Sequence, residues 1–151
     1  MSQSLSQIYV HLTFGTKGRY PYIKDQVKDR LHQFIGGILR SQESPSVAVN
    51  SVSDHIHILF NLSKNYALAD VIKEVKARSS KWLKDFGGEY ATFSWQRGYG
   101  AFSVNYMDLD KVINYIKGQE SHHKYKSFTE EVEEFVKQFN IINYDPDYFW
   151  N

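Results

Sequence analysis

Val52-Ser53-Asp54-His55-Ile56-His57-Ile58-Leu59-Phe60-Asn61-Leu62 is the stretch on which the reading of this chain turns. Ser53-Asp54 is a turn signal, because short polar side chains bond back to the backbone at such positions. From His55 onward the residues alternate. Side chains on a strand point to opposite faces in turn, so Ile56, Ile58, Phe60 and Leu62 share an apolar face. His55 and His57 project together from the other. Residues 47–52 form a short strand before the turn, and the pair reads as a β-hairpin.

Upstream, Ile8, Val10, Leu12 and Phe14 alternate with Tyr9, His11 and Thr13, which predicts a half-buried strand over 8–14. Val27, Leu31, Phe34, Ile35, Ile38 and Leu39 recur at helical spacing, giving a helix over about 24–42 that Ser44-Pro45 stops. Downstream, Leu68, Val71, Ile72, Val75, Trp82, Leu83 and Phe86 define a helix over about 68–86, ended by Gly87-Gly88. Residues 92–100 are aromatic and glycine-rich, a loop. Residues 101–107 alternate again, with Phe102, Val104 and Tyr106 on one side. Asp108 is placed to cap a helix over about 109–120. Ser127 and Glu130 make a capping-box pattern for a last helix with the stripe Phe128, Val132, Phe135, Val136 and Phe139. The aromatic tail 144–150 is expected to pack down. The order β-α-β-β-α-β-α-α predicts an α+β fold, ferredoxin-like or RRM-like: an antiparallel sheet with helices packed on one face, plus C-terminal helices.

The chain has 151 residues and no internal repeat, which suits a single domain over 1–151. It has no cysteine, so disulfides and thiolate metal sites are excluded. No apolar run approaches the ~20 residues of a membrane-spanning helix. The polar stretch 1–7 lacks a signal-peptide core, so a cytoplasmic protein is expected. Net charge is only +1, but it is unevenly spread. Lys17, Arg19 and Lys24 form a basic segment without acids, and Lys73, Lys76, Arg78, Lys81, Lys84 and Arg97 follow further on. Glu130, Glu131, Glu133, Glu134, Asp145 and Asp147 make the C-terminal part acidic. A basic front and an acidic back are compatible with near-zero net charge, as are ordinary solvated helix faces.

Two same-face imidazoles two residues apart on a strand can chelate one metal ion, or can be a hydrogen-bonded surface pair. In the helix over 109–120, Val112, Ile113 and Ile116 make the apolar stripe, and Tyr115 and Gln119 are one turn apart on one face. A phenol can act as a covalent nucleophile once it loses its proton or meets a nearby cation. A glutamine carboxamide oxygen can ligate that cation. A packed tyrosine beside a solvated glutamine is the simpler alternative.

His-hydrophobe-His on a strand, followed by a helix carrying Tyr115 and Gln119, resembles the single-tyrosine HUH transposases of small insertion sequences, the transposase A type of insertion-sequence-200-like elements. The resemblance covers nearly the whole chain, through the stretches 11–21, 52–60, 79–82, 93–104, 115–123 and 144–150. Two positions depart from it: Asn50-Ser51 stands where the family often has glycine, and Gly118 where it often has asparagine. The resemblance implies a transposase that cuts and rejoins single-stranded DNA at hairpin-flanked element ends. Tyr115 would be the nucleophile, with a 5′-phosphotyrosine intermediate. His55, His57 and Gln119 would hold Mg²⁺ or Mn²⁺. It also implies a homodimer, in which for some members the tyrosine helix completes the partner's metal site. Lys17 and Arg19, then Arg78, Lys81 and Arg97, are the residues expected to contact DNA phosphates. Tyr20, Trp95, Tyr99 and Phe102 are available to stack on unpaired bases or to pack in the core. His122 and His123 are read as ordinary surface or packing residues.

Other classes fit less well. A domesticated hairpin-DNA-binding protein without transposition activity would not need all four of Tyr115, His55, His57 and Gln119. A metallohydrolase of the His-x-His-x-Asp-His type needs ligands where Ile58-Leu59-Phe60 stands. A cupin-like oxygenase needs many more strands than helices. A metal-free RNA binder would carry its sheet aromatics in a Gly-Phe-Gly-Phe-type pattern, of which Arg97-Gly98-Tyr99-Gly100-Ala101-Phe102 is a loose echo.

Overall fold

The computed structural model describes residues 2–123 and 126–151, without the side chain of His122. Four strands, β1 (Tyr9–Gly15), β2 (Ser46–Ser51), β3 (His55–Asn61) and β4 (Gly100–Val104), form one sheet in the order β2-β3-β1-β4. Every neighbouring pair is antiparallel. Helices α1 (Asp25–Ser41) and α2 (Leu68–Lys84) join them in the sequence β1-α1-β2-β3-α2-β4, which is the ferredoxin-like arrangement. Beyond β4 come α3 (Leu109–Lys117), α4 (Gln119–His122), α5 (Phe128–Gln138) and α6 (Pro146–Phe149). Among the described residues, no helix is long and apolar enough to cross a membrane.

The two faces of the sheet have different chemistry. Val10, Leu12, Phe14, Ile56, Ile58 and Phe60 all face one side and pack, fully or almost fully buried, with the apolar stripes of α1 and α2. Each such side chain contributes about 1.5–3 kcal/mol on burial. His11, Thr13, His55 and His57 face the other side and are buried as well. There the C-terminal helices cover them, with His11 edge-on to Phe135 of α5. Burying polar groups costs about 1–3 kcal/mol each when they are left unpaired, so this second face depends on its hydrogen bonds.

Most predicted elements form within one to two residues of their expected bounds, but the strand expected over 101–107 stops at Val104, and Tyr106, expected on it, lies in a short helical turn that Asn105 caps. The helix over 109–120 divides at Gly118, where α3 ends. Asp108 makes no side-chain cap; Asn105 instead accepts from the Met107 N–H and starts a short turn before α3. The capping box at the start of α5 is present, with Ser127 Oγ accepting from the Glu130 N–H and Glu130 reaching back to Ser127. Trp95 is core, 6% exposed, wedged edge-on between Phe14 and Phe93 and donating to Ser79 Oγ at 2.9 Å.

The loop before β4 is held from behind the sheet. Lys76 Nζ donates to the carbonyls of Gln96, Arg97 and Gly98 at 2.7, 3.0 and 2.8 Å, and lies 5.0 Å over the Phe14 ring. Gln96 in turn accepts from the Gly15 N–H and donates to the Phe149 carbonyl, joining the end of β1 to the tail. Hydrogen bonds from a charged donor are worth about 1.5–3 kcal/mol. Lys76→Met, which keeps the aliphatic stem, is therefore expected to lower unfolding stability by about 2–3 kcal/mol. The check is a shift of the urea midpoint at unchanged slope.

Candidate active site

β3 delivers His55 and His57, and β1 delivers His11 beside them. Three interactions set the imidazole orientations. Asp54 Oδ1 is 2.7 Å from His55 Nδ1. His11 Nε2 is 2.8 Å from His57 Nδ1. The Lys126 carbonyl accepts from His123 Nδ1 at 2.5 Å. Each ring thus turns its Nε2 inward, where it bonds Glu131 when it holds a proton and offers a lone pair to a cation when it does not.

Those nitrogens converge on one carboxylate, Glu131 of α5, which is 2% exposed. Its Oε1 stands 3.0 Å from His57 Nε2, 3.4 Å from His55 Nε2 and 3.3 Å from His123 Nε2. His55 Nε2 and His123 Nε2 are themselves 3.0 Å apart. Gln119, fully buried, brings its Oε1 to 2.9 Å from His123 Nε2 and 3.4 Å from His55 Nε2. The Tyr115 hydroxyl donates to Glu131 Oε2, and Gln119 Nε2 donates to the same oxygen at 3.3 Å. The Tyr115 ring lies 5.8 Å from His57 and 6.1 Å from His11.

The charges divide accordingly. Burial favours a neutral His55, but hydrogen bonds with Asp54 and Glu131 outweigh it and raise its pKa. Burial dominates at His57, lowering its pKa despite Glu131. His11 is pushed down to about 3 by burial, then by His57. Burial works to protonate Glu131, yet its bonds to His123, His55 and His57 hold it well below the usual carboxylate range. Tyr115 is raised by burial and then by the Glu131 charge, so the phenol keeps its proton.

This donor set fits a small divalent cation. His55, His57, His123 and Glu131 each offer one ligand atom, all within 4.8 Å of one another. Ligands about 2.0–2.2 Å from a cation stand about 3–3.5 Å from each other, and the Glu131 Oε1 contacts with His57, His55 and His123 are 3.0, 3.4 and 3.3 Å. Inward-facing lone pairs with few protons among them repel unless positive charge sits between them, which is the condition a cation satisfies.

The structure brings together Tyr115, His55, His57 and Gln119, all four named from the sequence. Two further groups, His123 and Glu131, join them. His123, read from the sequence as an ordinary residue, is one turn beyond Gln119. Glu131 occupies a core position of α5, among Phe128, Val132 and Phe135. A carboxylate on an apolar stripe is the signal that would have found it. The departure at Asn50 has a partner too: its Nδ2 donates to the Ile116 and Lys117 carbonyls, 2.8 and 3.3 Å away, at the end of the tyrosine helix.

The basic residues divide. Arg19 lies over the Trp150 ring, which packs edge-on against Phe128, itself stacked on His55 at 4.1 Å. It lines a cavity of about 440 Å³ with Asp54, His123 and Lys126. Lys17 is exposed two residues earlier. Arg78 and Lys81 are exposed on α2, behind the sheet, where Arg78 donates to Ser41 Oγ and Lys81 pairs with Asp85. Arg97 is exposed on the loop held by Lys76. Of the aromatics, Tyr20 is exposed against Tyr22, and Tyr99 lies under Lys76. Phe102 faces Phe135 and Phe139 and lines a cavity of about 480 Å³ beside Tyr115.

A ferredoxin-like sheet here carries a histidine pair and a helix tyrosine at one buried site, and the sequence places the chain in a family. The sequence matches the family described as transposase IS200 like over residues 4–119, and the chain belongs to that family. It is similar to the ISDra2 transposase TnpA of Deinococcus radiodurans, 22% identical over 122 residues, covering 75% of this chain and 84% of that one. Among solved structures, a candidate transposase from Deinococcus radiodurans R1 superposes with a TM-score of 0.62 at 20% identity, covering 79% of this chain and 98% of that one. A REP-associated tyrosine transposase bound to a REP hairpin superposes with a TM-score of 0.61 at 16% identity, covering 83% of this chain and 76% of that one.

Groups that orient metal-binding imidazoles typically matter 10- to 100-fold for affinity. Asp54→Ala and His11→Leu are each expected to weaken Mn²⁺ binding by about that factor, measured by titration calorimetry.

Proposed function

We propose that this transposase cuts and rejoins single-stranded DNA at hairpin-flanked ends, with Tyr115 as nucleophile and a divalent cation held by His55, His57 and Gln119. The observation that carries this reading is that the Tyr115 hydroxyl and the inward-facing histidine nitrogens meet around one buried carboxylate within one chain. When bound, the cation would neutralise charge on the scissile phosphate. Mg²⁺ and Mn²⁺ are the cations of the family resemblance, and a set rich in imidazole suits Mn²⁺ better.

The Tyr115 oxygen attacks the phosphorus, and the P–O3′ bond breaks. The products are a 5′-phosphotyrosine and a free 3′-OH. A 3′-OH then attacks that link, reseals the strand and releases Tyr115. Bond energy is conserved in the covalent link, so no nucleotide is hydrolysed. The cavity beside Tyr115, with Phe102 and Phe139 in its lining, suits an unpaired base next to the scissile phosphate. Arg19 and Lys17 are its phosphate contacts near the site, and Arg97, Arg78 and Lys81 are contacts for more distant duplex. Residues 1–151 act as one domain, since α5 closes the site on the sheet. A homodimer is the assembled form, in which the Tyr115 helix completes the partner's metal site as in some members of the family, while within one chain Tyr115 already stands beside its own histidines.

The test uses labelled single-stranded oligonucleotides from the flanks of the gene, hairpins included, with Mn²⁺ or Mg²⁺. A DNA-linked protein band on a denaturing gel is expected. It should vanish in Tyr115→Phe and with chelator, and fall at least about 100-fold in His57→Ala. A band persisting in Tyr115→Phe would assign the chemistry elsewhere. Hairpin binding without any band would mark a DNA-binding protein without transposition activity.

A further inference from the structure

We propose that Glu131 is a catalytic residue that couples the two halves of the site: Oε1 joins His123 in completing the cation-binding set, and Oε2 holds the Tyr115 hydroxyl and takes its proton during attack. The inference rests on Tyr115 being the nucleophile. Both added residues lie beyond the span 4–119 that matches the family.

The two carboxylate oxygens have separate partners. Oε1 faces the Nε2 atoms of His57, His55 and His123, and Oε2 faces the Tyr115 hydroxyl and Gln119 Nε2. No rearrangement is needed for one oxygen to ligate while the other accepts a proton. The position is also expensive to fill with a charge. Glu131 is buried on the stripe that packs Phe128, Val132 and Phe135 into the site, where an apolar residue would avoid the cost of desolvation. The helix that carries it is anchored at both flanks of the site, since Phe128 stacks on His55 and Phe135 lies edge-on to His11 and Tyr115. His123 follows Gln119, and Gln119 follows Tyr115, each by four residues, so one line of side chains delivers nucleophile and ligands to the same carboxylate.

In the attack, the O–H bond of Tyr115 breaks as its oxygen bonds to phosphorus, and the proton passes to Oε2. The P–O3′ bond breaks, and the departing 3′ oxygen takes a proton from solvent. On resealing, the attacking 3′-OH gives its proton to solvent as its oxygen bonds to phosphorus, and the proton on Oε2 returns to the tyrosine oxygen as the P–O bond to Tyr115 breaks.

Two measurements on the full chain test this. The first is calorimetric titration of the DNA-free protein with Mn²⁺. Affinity should fall about 10-fold or more in Glu131→Gln and in His123→Ala. The second is the single-turnover rate of the DNA–protein adduct at saturating Mn²⁺. Glu131→Gln should be about 100-fold slower, the usual scale of a lost general base. Glu131→Asp, which keeps both oxygens, should recover part of the rate and serves if the glutamine variant melts early. Wild-type Mn²⁺ affinity in Glu131→Gln overturns the ligand role. A wild-type adduct rate there overturns the proton role. No adduct from the wild-type protein itself overturns the nucleophile reading and the proton role with it, while the titration still decides the ligand role.

Discussion

Everything at the site depends on the two-residue alternation of β3. His55 and His57 reach the catalytic face because Ile56, Ile58 and Phe60 are drawn to the opposite one. A slip of one residue in register would turn the histidines into the hydrophobic core and the isoleucines into the polar cluster. The neighbours make that slip costly, since β3 is paired on both sides, with β1 and with β2. The apolar packing of one face thus holds the geometry of the other. Burial under α1 and α2 stabilises the sheet by an amount that the polar cluster can draw down.

The cluster itself is poised rather than neutral. Hydrogen bonds raise the His55 pKa and hold that of Glu131 low against burial, while burial lowers the pKa of His57 and of His11. In the proposed cation-bound state, a divalent cation would supply the positive charge that Glu131 otherwise draws from the histidines, and would relieve the phenol of Tyr115, which burial and then the Glu131 charge hold in its protonated form. Tyr115 and the histidine set are linked electrostatically through that one side chain.

Much of this was legible in the residues alone. The strand alternation, the helical stripes and the capping box are local patterns, and they carry the βαββαβ order directly. His55 and His57 were legible because a strand leaves no choice of face, and Tyr115 with Gln119 because helical spacing aligns them even across the break at Gly118. Glu131 stood out only as a carboxylate on an apolar stripe; what it faces depends on how α5 docks, and no local pattern encodes a docking angle. His11 was visible as the polar partner of an alternating strand, but its use as the group behind His57 arises only from the pairing of β1 with β3. Trp95 was open to base stacking or core packing and is core, because Phe14 and the Ser79 hydroxyl that hold it are remote in sequence. Exposed cations such as Arg78 and Lys81 are read equally well as solvated positions, and their place behind the sheet follows from tertiary structure alone.

The capping box at Ser127 carries a consequence of its own. A helix advances about 100° per residue, so the residue at which it starts sets the compass bearing of every later side chain. Starting α5 one residue earlier or later would swing Glu131 by roughly that angle, toward solvent or toward the Phe102 side. Two hydrogen bonds between Ser127 and Glu130, both on the exposed rim, thus act as the index mark that keeps a buried carboxylate aimed at its histidines.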